Sequence, residues 1–300
     1  MEKRLLVEDH IRKNKRDTVI ICMFMVILLF AVIFSIGLVM GFPPFFATAI
    51  GLPVALLYIA VTYSFSVKSV IAAAKARPAN PSRREEKLLI YKVEEMAIAA
   101  GLPTPRAYVQ DSSDINAFAT GKRPEEAIIC VTTGALRKLN TEELEGVIGH
   151  EMSHIQNRDI LVATVTVGIV GAIALLAEIA LRALFWGGGG RGKKGGENII
   201  LLVVALIFIV LAPIFSRLTY LAISRKREYL ADANGAYLTR NPEGLARALE
   251  KIKADLPDDP KGSKTVAPLY IANPFKRSLR DSIWATHPPI DERIKRLRSM

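Results

Sequence analysis

Five consecutive residues, His150-Glu151-Met152-Ser153-His154, carry the side chains best suited to chemistry. Two histidines four positions apart stand one turn apart on a single helix face, where both imidazoles can reach one metal ion. Glu151, beside the first of them, is placed to hold a water at that ion and to take its proton. A helix that merely happens to carry two histidines would have the same letters, so the context decides. Asn140-Thr141-Glu142-Glu143 reads as a helix start in which Asn140 caps and Glu143 reaches back. Leu144, Val147, Ile148, Met152 and Ile155 then form an apolar stripe at helical spacing. The two histidines therefore belong to a capped, half-buried helix.

A catalytic zinc takes three protein ligands and keeps one position for water. A glycine three places after His154 and a third histidine three places beyond it would mark one large protease class, but Asn157 and Ile160 stand there. Asp159 follows His154 too closely, and in the wrong helix direction, for joint coordination. Glu178 would lie about 36 Å away along a continuous helix. Glu228 is the better candidate, in Arg225-Lys226-Arg227-Glu228-Tyr229-Leu230-Ala231-Asp232. Asp232, one turn onward, can accept the outer N–H of a ligating histidine and hold its tautomer. The competing reading of Glu228 is an acidic residue paired with neighbouring arginines. Two apolar segments separate His154 from Glu228, an even number, which returns the chain to the side it left.

These residues must be positioned by a chain that is 51% hydrophobic yet 23% charged, a combination expected when parts face lipid and parts face water. The net charge of +11 gathers beside apolar runs, which favours the positive-inside bias of a membrane protein over a nucleic-acid footprint. Cys22 and Cys130 make no disulfide framework and read as two buried small hydrophobes. Val19 to Met40 carries no charge and is long enough for a bilayer core of about 30 Å. It follows Lys3, Arg4, Arg12, Lys13, Lys15 and Arg16, and it is too long for a cleaved signal peptide. After the breaker Gly41-Phe42-Pro43-Pro44, a second run extends from Phe45 to Val67, followed by Lys68, Lys75, Arg77, Arg83 and Arg84. The pair is a predicted hairpin with both ends cytoplasmic.

Two further apolar segments, Ile160 to Trp186 and Ile199 to Ser216, flank a Gly-rich loop containing Arg191, Lys193 and Lys194. Those charges cut against a simple crossing, so this second hairpin either spans or lies partly within the interface. Four parts result: a basic leader and hairpin over 1–67, a catalytic part over 68–160, the second hairpin over 161–220, and a third-ligand helix with the rest of the catalytic part over 221–300. Within 68–160, a helix from Ala79-Asn80-Pro81-Ser82 to about Ala100 ends at Gly101, and β-like runs cover Arg106–Gln110, Ile115–Thr120 and Ala127–Val131. The expected fold is mainly α with a small β-sheet beside the metal helix.

The ordered set of the amino-terminal hairpin, Asn116-Ala117-Phe118-Ala119, the His150–His154 motif, the second hairpin, Glu228 to Asp232, and Thr286-His287-Pro288-Pro289 with Arg293 resembles the HtpX heat-shock family of membrane zinc proteases. These are gluzincins related to the CAAX prenyl endopeptidases. The resemblance implies one Zn2+ bound by His150, His154 and Glu228, with Glu151 as base and Asp232 as a supporting carboxylate. It implies that Asn116, Ala117 and Phe118 lie on an edge strand where an extended substrate pairs, a geometry that binds backbone without reading sequence. Plain core structure is the other reading of that strand. His287 and Arg293 would lie near the zinc, His287 as oxyanion stabiliser, as an inhibitory fourth ligand, or as a solvated bystander.

The implied protein is a multi-pass enzyme of the cell membrane, with its centre facing the cytoplasm. It would cut membrane or misfolded proteins in quality control, with the lipid bilayer as surroundings and no nucleic-acid partner. A specific maturation protease, and a membrane scaffold or transporter with a structural zinc, are the other readings. The last would be expected to have four protein ligands and no need for Glu151.

Overall fold

The computed structural model describes residues 2–39, 42–170, 225–255, 266–272 and 288–300. The second hairpin beyond residue 170, its Gly-rich loop, Glu178 and His287 lie outside the described residues.

Helix α1 (Glu2–Val39) runs unbroken from the basic leader through the first apolar run, and α2 (Pro44–Ala74) packs against it. Gly51 of α2 meets Phe30 and Ile33 of α1. Outward-facing Val19, Met23 and Ile27 on α1, and Phe45, Leu57 and Phe65 on α2, are exposed, an apolar surface that water does not tolerate over such a length. Among the described residues, α2 is the one helix long and apolar enough to cross a membrane. It continues past the expected end at Val67 to Ala74, where Lys75 closes it in the left-handed region at φ 51°. Cys22 on α1 is half-buried rather than buried, because its helix face borders a groove. Cys130 is buried as expected.

The remainder is mainly helical around a small mixed sheet of order β1-β2-β4-β3. Strand β1 (Ala76–Pro78) was not legible, because three residues are too few to show alternation. It runs antiparallel to β2 (Arg106–Gln110), which is parallel to β4 (Ile128–Thr132). β3 (Ala117–Thr120) is antiparallel to β4, with Phe118 opposite Cys130, and forms one sheet edge. Between β1 and β2, α3 (Arg84–Ala100) ends at Gly101, whose φ of 65° requires the left-handed region. A short α4 (Thr133–Lys138) follows β4.

Helix α5 (Thr141–Gln156) carries the metal motif, and α6 (Asp159–Val170) follows after a two-residue turn. Beyond residues 171–224 come α7 (Arg225–Thr239), α8 (Pro242–Ala254) and α9 (Ile290–Arg298). Val93 and Met96 of α3, Ile129 of β4, Val147 of α5 and Leu249 of α8 share one core. Two glycines let α5 and α7 meet backbone to backbone. A Cβ on Gly235 would stand 2.8 Å from the His150 nitrogen and 3.0 Å from the Gly149 carbonyl carbon. That close approach brings the carboxylates of α7 to the histidines of α5.

Candidate metal centre

The start of α5 is pinned by a reciprocal cap: Glu143 N–H donates to Asn140 Oδ1 at 2.9 Å and Asn140 N–H donates to Glu143 Oε2 at 2.8 Å. With the start fixed, the helical period turns His150 and His154 toward α7. Their Nε2 atoms lie 3.2 Å apart. Glu228 brings Oε2 to 3.8 Å from His150 Nε2 and Oε1 to 3.5 Å from His154 Nε2. One ligand atom from each of the three residues falls within 4.8 Å of the others, so the three could hold a metal ion.

Both imidazoles are supported from behind. His150 Nδ1 is 2.9 Å from Asp232 Oδ1, and His154 Nδ1 is 3.0 Å from Asp159 Oδ2. An Nδ1–H donated to a carboxylate leaves the Nε2 lone pair as the free valence. With the extra proton lost from His154, two such lone pairs would face each other here, an arrangement that a bound cation would stabilise. Nitrogens bound at about 2.05 Å to one tetrahedral ion stand about 3.3 Å apart, which matches the observed pair. The donor set of two imidazoles and a carboxylate therefore fits zinc.

Glu151 is fully buried beside them, with Oε1 lacking a hydrogen-bond partner and the carboxylate accepting the Ala119 N–H. Burial raises its pKa to about 7, with Glu228 adding to the rise while His154, Ala119 N–H and Arg293 oppose it. Burial also pushes His150 down. Burial disfavours a charged His154 as well, yet its hydrogen bond to Asp159 and the nearby Glu228 and Glu151 carry its pKa up to about 9. For Asp232, burial is outweighed by Arg293 and His150, and the carboxyl is held at about 2.

Arg293, from α9, is completely buried. Its Nε and Nη2 donate to the two Asp232 oxygens at 2.8 and 2.7 Å, and Nη1 donates to the Ile271 carbonyl at 3.0 Å. The planar fork thus ties the carboxylate behind His150 to the segment that covers the site.

Two supporting residues escape sequence reasoning. Asp159 stands too near His154 to share a metal, yet that proximity suits it to accept the Nδ1–H. Asn14, in the leader part of α1, donates through Nδ2 to Asp159 Oδ1 and to the Asn157 carbonyl, both at 2.8 Å. No local signal connects Asn14 to a residue so distant in sequence. Helix α1 is nonetheless hydrogen-bonded to the carboxylate behind His154.

Beside the donors lies a cavity of about 40 Å3, lined on one side by Pro268, Leu269, Tyr270 and Ile271. It has room for water but not for a peptide. The same segment lies along the expected substrate edge. The Ile271 N–H donates to the Ala117 carbonyl at 2.9 Å, and Asn116 Nδ2 donates to the Ala272 carbonyl at 2.9 Å. The Ala119 N–H goes to Glu151, and Phe118 packs edge-on against Tyr270 with ring centroids 5.5 Å apart. Asn116, Ala117 and Phe118 therefore sit at the sheet edge, but their outward groups already have partners within the chain. His287 falls outside the described residues.

Residues 82–300 match the model of peptidase family M48. The chain is 46% identical over 248 residues to a protease HtpX homolog of Thermoanaerobacter pseudethanolicus, covering 81% of each. It is 39% identical over 304 residues to one of Streptococcus uberis, covering 98% of this chain and all of that one. Among solved structures, S. mikatae Ste24p aligns with a TM-score of 0.46 and 20% identity, over 84% of this chain and 64% of that one. With a metal-ready His-His-Glu set beside a buried glutamate, and with these matches, the chain belongs to peptidase family M48 as a zinc-dependent metalloprotease of the HtpX type.

Proposed function

We propose that the protein is a membrane-anchored endopeptidase that cuts membrane or misfolded polypeptides at the cytoplasmic face of the cell membrane, in protein quality control. The observation that carries this reading is the convergence of His150 Nε2, His154 Nε2 and a Glu228 oxygen beside the buried Glu151. His150, His154 and Glu228 hold the ion. When bound, zinc supplies a Lewis acid that polarises the scissile carbonyl and acidifies water. Glu151 takes the proton of the attacking water and delivers it to the departing amine. Asp232 and Asp159 keep each Nδ1 protonated, and Arg293 keeps Asp232 ionised.

The substrate backbone pairs along Asn116–Phe118 once the Pro268–Ile271 segment has withdrawn. The basic leader and the positive residues after α2 favour cytoplasmic ends for the first hairpin, which places the catalytic parts, 68–160 and 221–300, on that side. The first hairpin by itself makes the protein multi-pass. A site at the membrane surface suits polypeptides that are themselves in the bilayer.

The test is cleavage of casein by detergent-solubilised enzyme, comparing wild type, Glu151→Gln, and a chelated sample re-supplied with zinc. Zinc-dependent cutting that disappears in Glu151→Gln, with metal retained, is the expected result. Equal cutting by Glu151→Gln would remove the assigned base.

A further inference from the structure

We propose that a groove between α1, α2 and the catalytic part binds an anionic phospholipid, its headgroup at Lys15, Lys122 and Arg158 and an acyl chain along α1. The groove encloses about 790 Å3, within the range of small-molecule sites. It is separate from the metal cavity and shares no lining residue with it.

The lining changes character along its length. On α1 it begins at Lys15 and Thr18 and runs through Val19, Met23 and Ile27. Lys15 to Ile27 spans about 18 Å of helix, on the order of one leaflet of a bilayer core of about 30 Å. On α2 the same polarity recurs, with Tyr63 at the basic end and Leu56 at the apolar end. A tyrosine at that level is where the edge of a hydrocarbon core places one.

The basic end is short of counter-charge. Lys15 and Arg158 have no ion-pair partner among the described residues, and Lys122 has only the Ser64 carbonyl at 3.4 Å and the face of Tyr63. Arg123, also at the rim, is shared with Glu126 at 2.7 Å. Arg158 is held at φ 60°, an uncommon conformation for a non-glycine residue, in the turn between α5 and α6. Three cations drawn from three separate parts of the fold, above an apolar channel of leaflet depth, match a phosphate on a lipid better than a soluble anion, which would leave the channel unused. Basic pockets beside membrane helices take such headgroups. The site also abuts the metal centre's support, since Lys15 and Arg158 neighbour Asn14 and Asp159, which are hydrogen-bonded to each other.

This inference rests on the membrane reading, and the experiment separates the two. Full-length Glu151→Gln protein, which leaves proteolysis out of the readout, is reconstituted in phosphatidylcholine nanodiscs with and without phosphatidylglycerol. It is then extracted, and retained lipid is measured by native mass spectrometry. Selective retention of phosphatidylglycerol is expected, weakening about fivefold for each charge removed in Lys122→Gln and Arg158→Gln. Val26→Trp, which fills the groove without altering charge, should abolish retention, while Lys13→Gln, outside the groove, should not affect selectivity. Inorganic phosphate should not compete. Competition by phosphate, or retention that survives both Val26→Trp and the charge changes, overturns the lipid site even though the protein remains integral to the membrane. Extraction of the protein from membranes by alkaline carbonate would overturn the membrane reading and this inference together.

Discussion

The Ile271 N–H donates to the Ala117 carbonyl at 2.9 Å, so the sheet edge beside the metal-binding side chains is paired within the chain itself. With Tyr270 against Phe118 as well, a peptide can pair along this edge only if this segment moves. Binding of a peptidic hydroxamate should therefore raise amide hydrogen exchange across 266–272. Unchanged protection of the Ile271 amide in the inhibitor complex would mean that substrates bind elsewhere on the site.

Asp159 Oδ2 lies 3.0 Å from His154 Nδ1, on the side of the ring away from Glu228 and His150. Asp159→Asn keeps the shape but removes the charge that holds Nδ1, and zinc affinity should fall about 10–100-fold. Competition with a chromophoric chelator measures this directly. Affinity within a factor of about two of wild type would show that the hydrogen bond contributes nothing to binding.

Gly235 is the contact on which the position of Glu228 depends. Adding a Cβ 2.8 Å from the His150 nitrogen must push α7 away from α5, and Glu228 and Asp232 move with it. Gly235→Ala should cost about 1–3 kcal/mol in stability and reduce zinc occupancy. Thermal unfolding and metal analysis report the two effects, and normal values for both would contradict the close packing.

A pH effect belongs to Glu86, far from the metal. It receives both forks of Arg77 at 2.9 and 2.8 Å and the Asn80 N–H at 2.7 Å. The Arg77 hydrogen bond, helped by Asn80 and Arg83 against burial, holds its carboxyl at about 2. A folded pKa below the ordinary value of about 4.3 means that its stabilisation is fully present above that value and is lost as pH falls toward 2. Glu86→Gln should destabilise by about 1–3 kcal/mol at neutral pH. The melting-temperature gap from wild type should close between about pH 5 and about pH 2. A gap independent of pH would assign the loss to packing instead.

What the sequence determined by itself was local. The Asn140–Glu143 cap, the stripe that makes α5 a helix, the four-residue spacing of His150 and His154, and the Gly101 stop all depend on neighbours within a few positions, so periodicity and side-chain type suffice. Glu228 was reached through its offset from Asp232, again a one-turn relation. Tertiary structure alone decided which distant groups support them. Asn14 meets Asp159, Arg293 clamps Asp232, and Pro268–Ile271 lines one side of the cavity. Each is a contact between elements far apart in sequence, fixed by backbone approach at Gly149 and Gly235 and by sheet order, which no local pattern encodes. The substrate edge shows the difference most clearly. Resemblance to the HtpX family can nominate Asn116–Thr120 as an edge strand, but whether its outward N–H and C=O groups are free depends on where a segment some 150 residues later comes to lie.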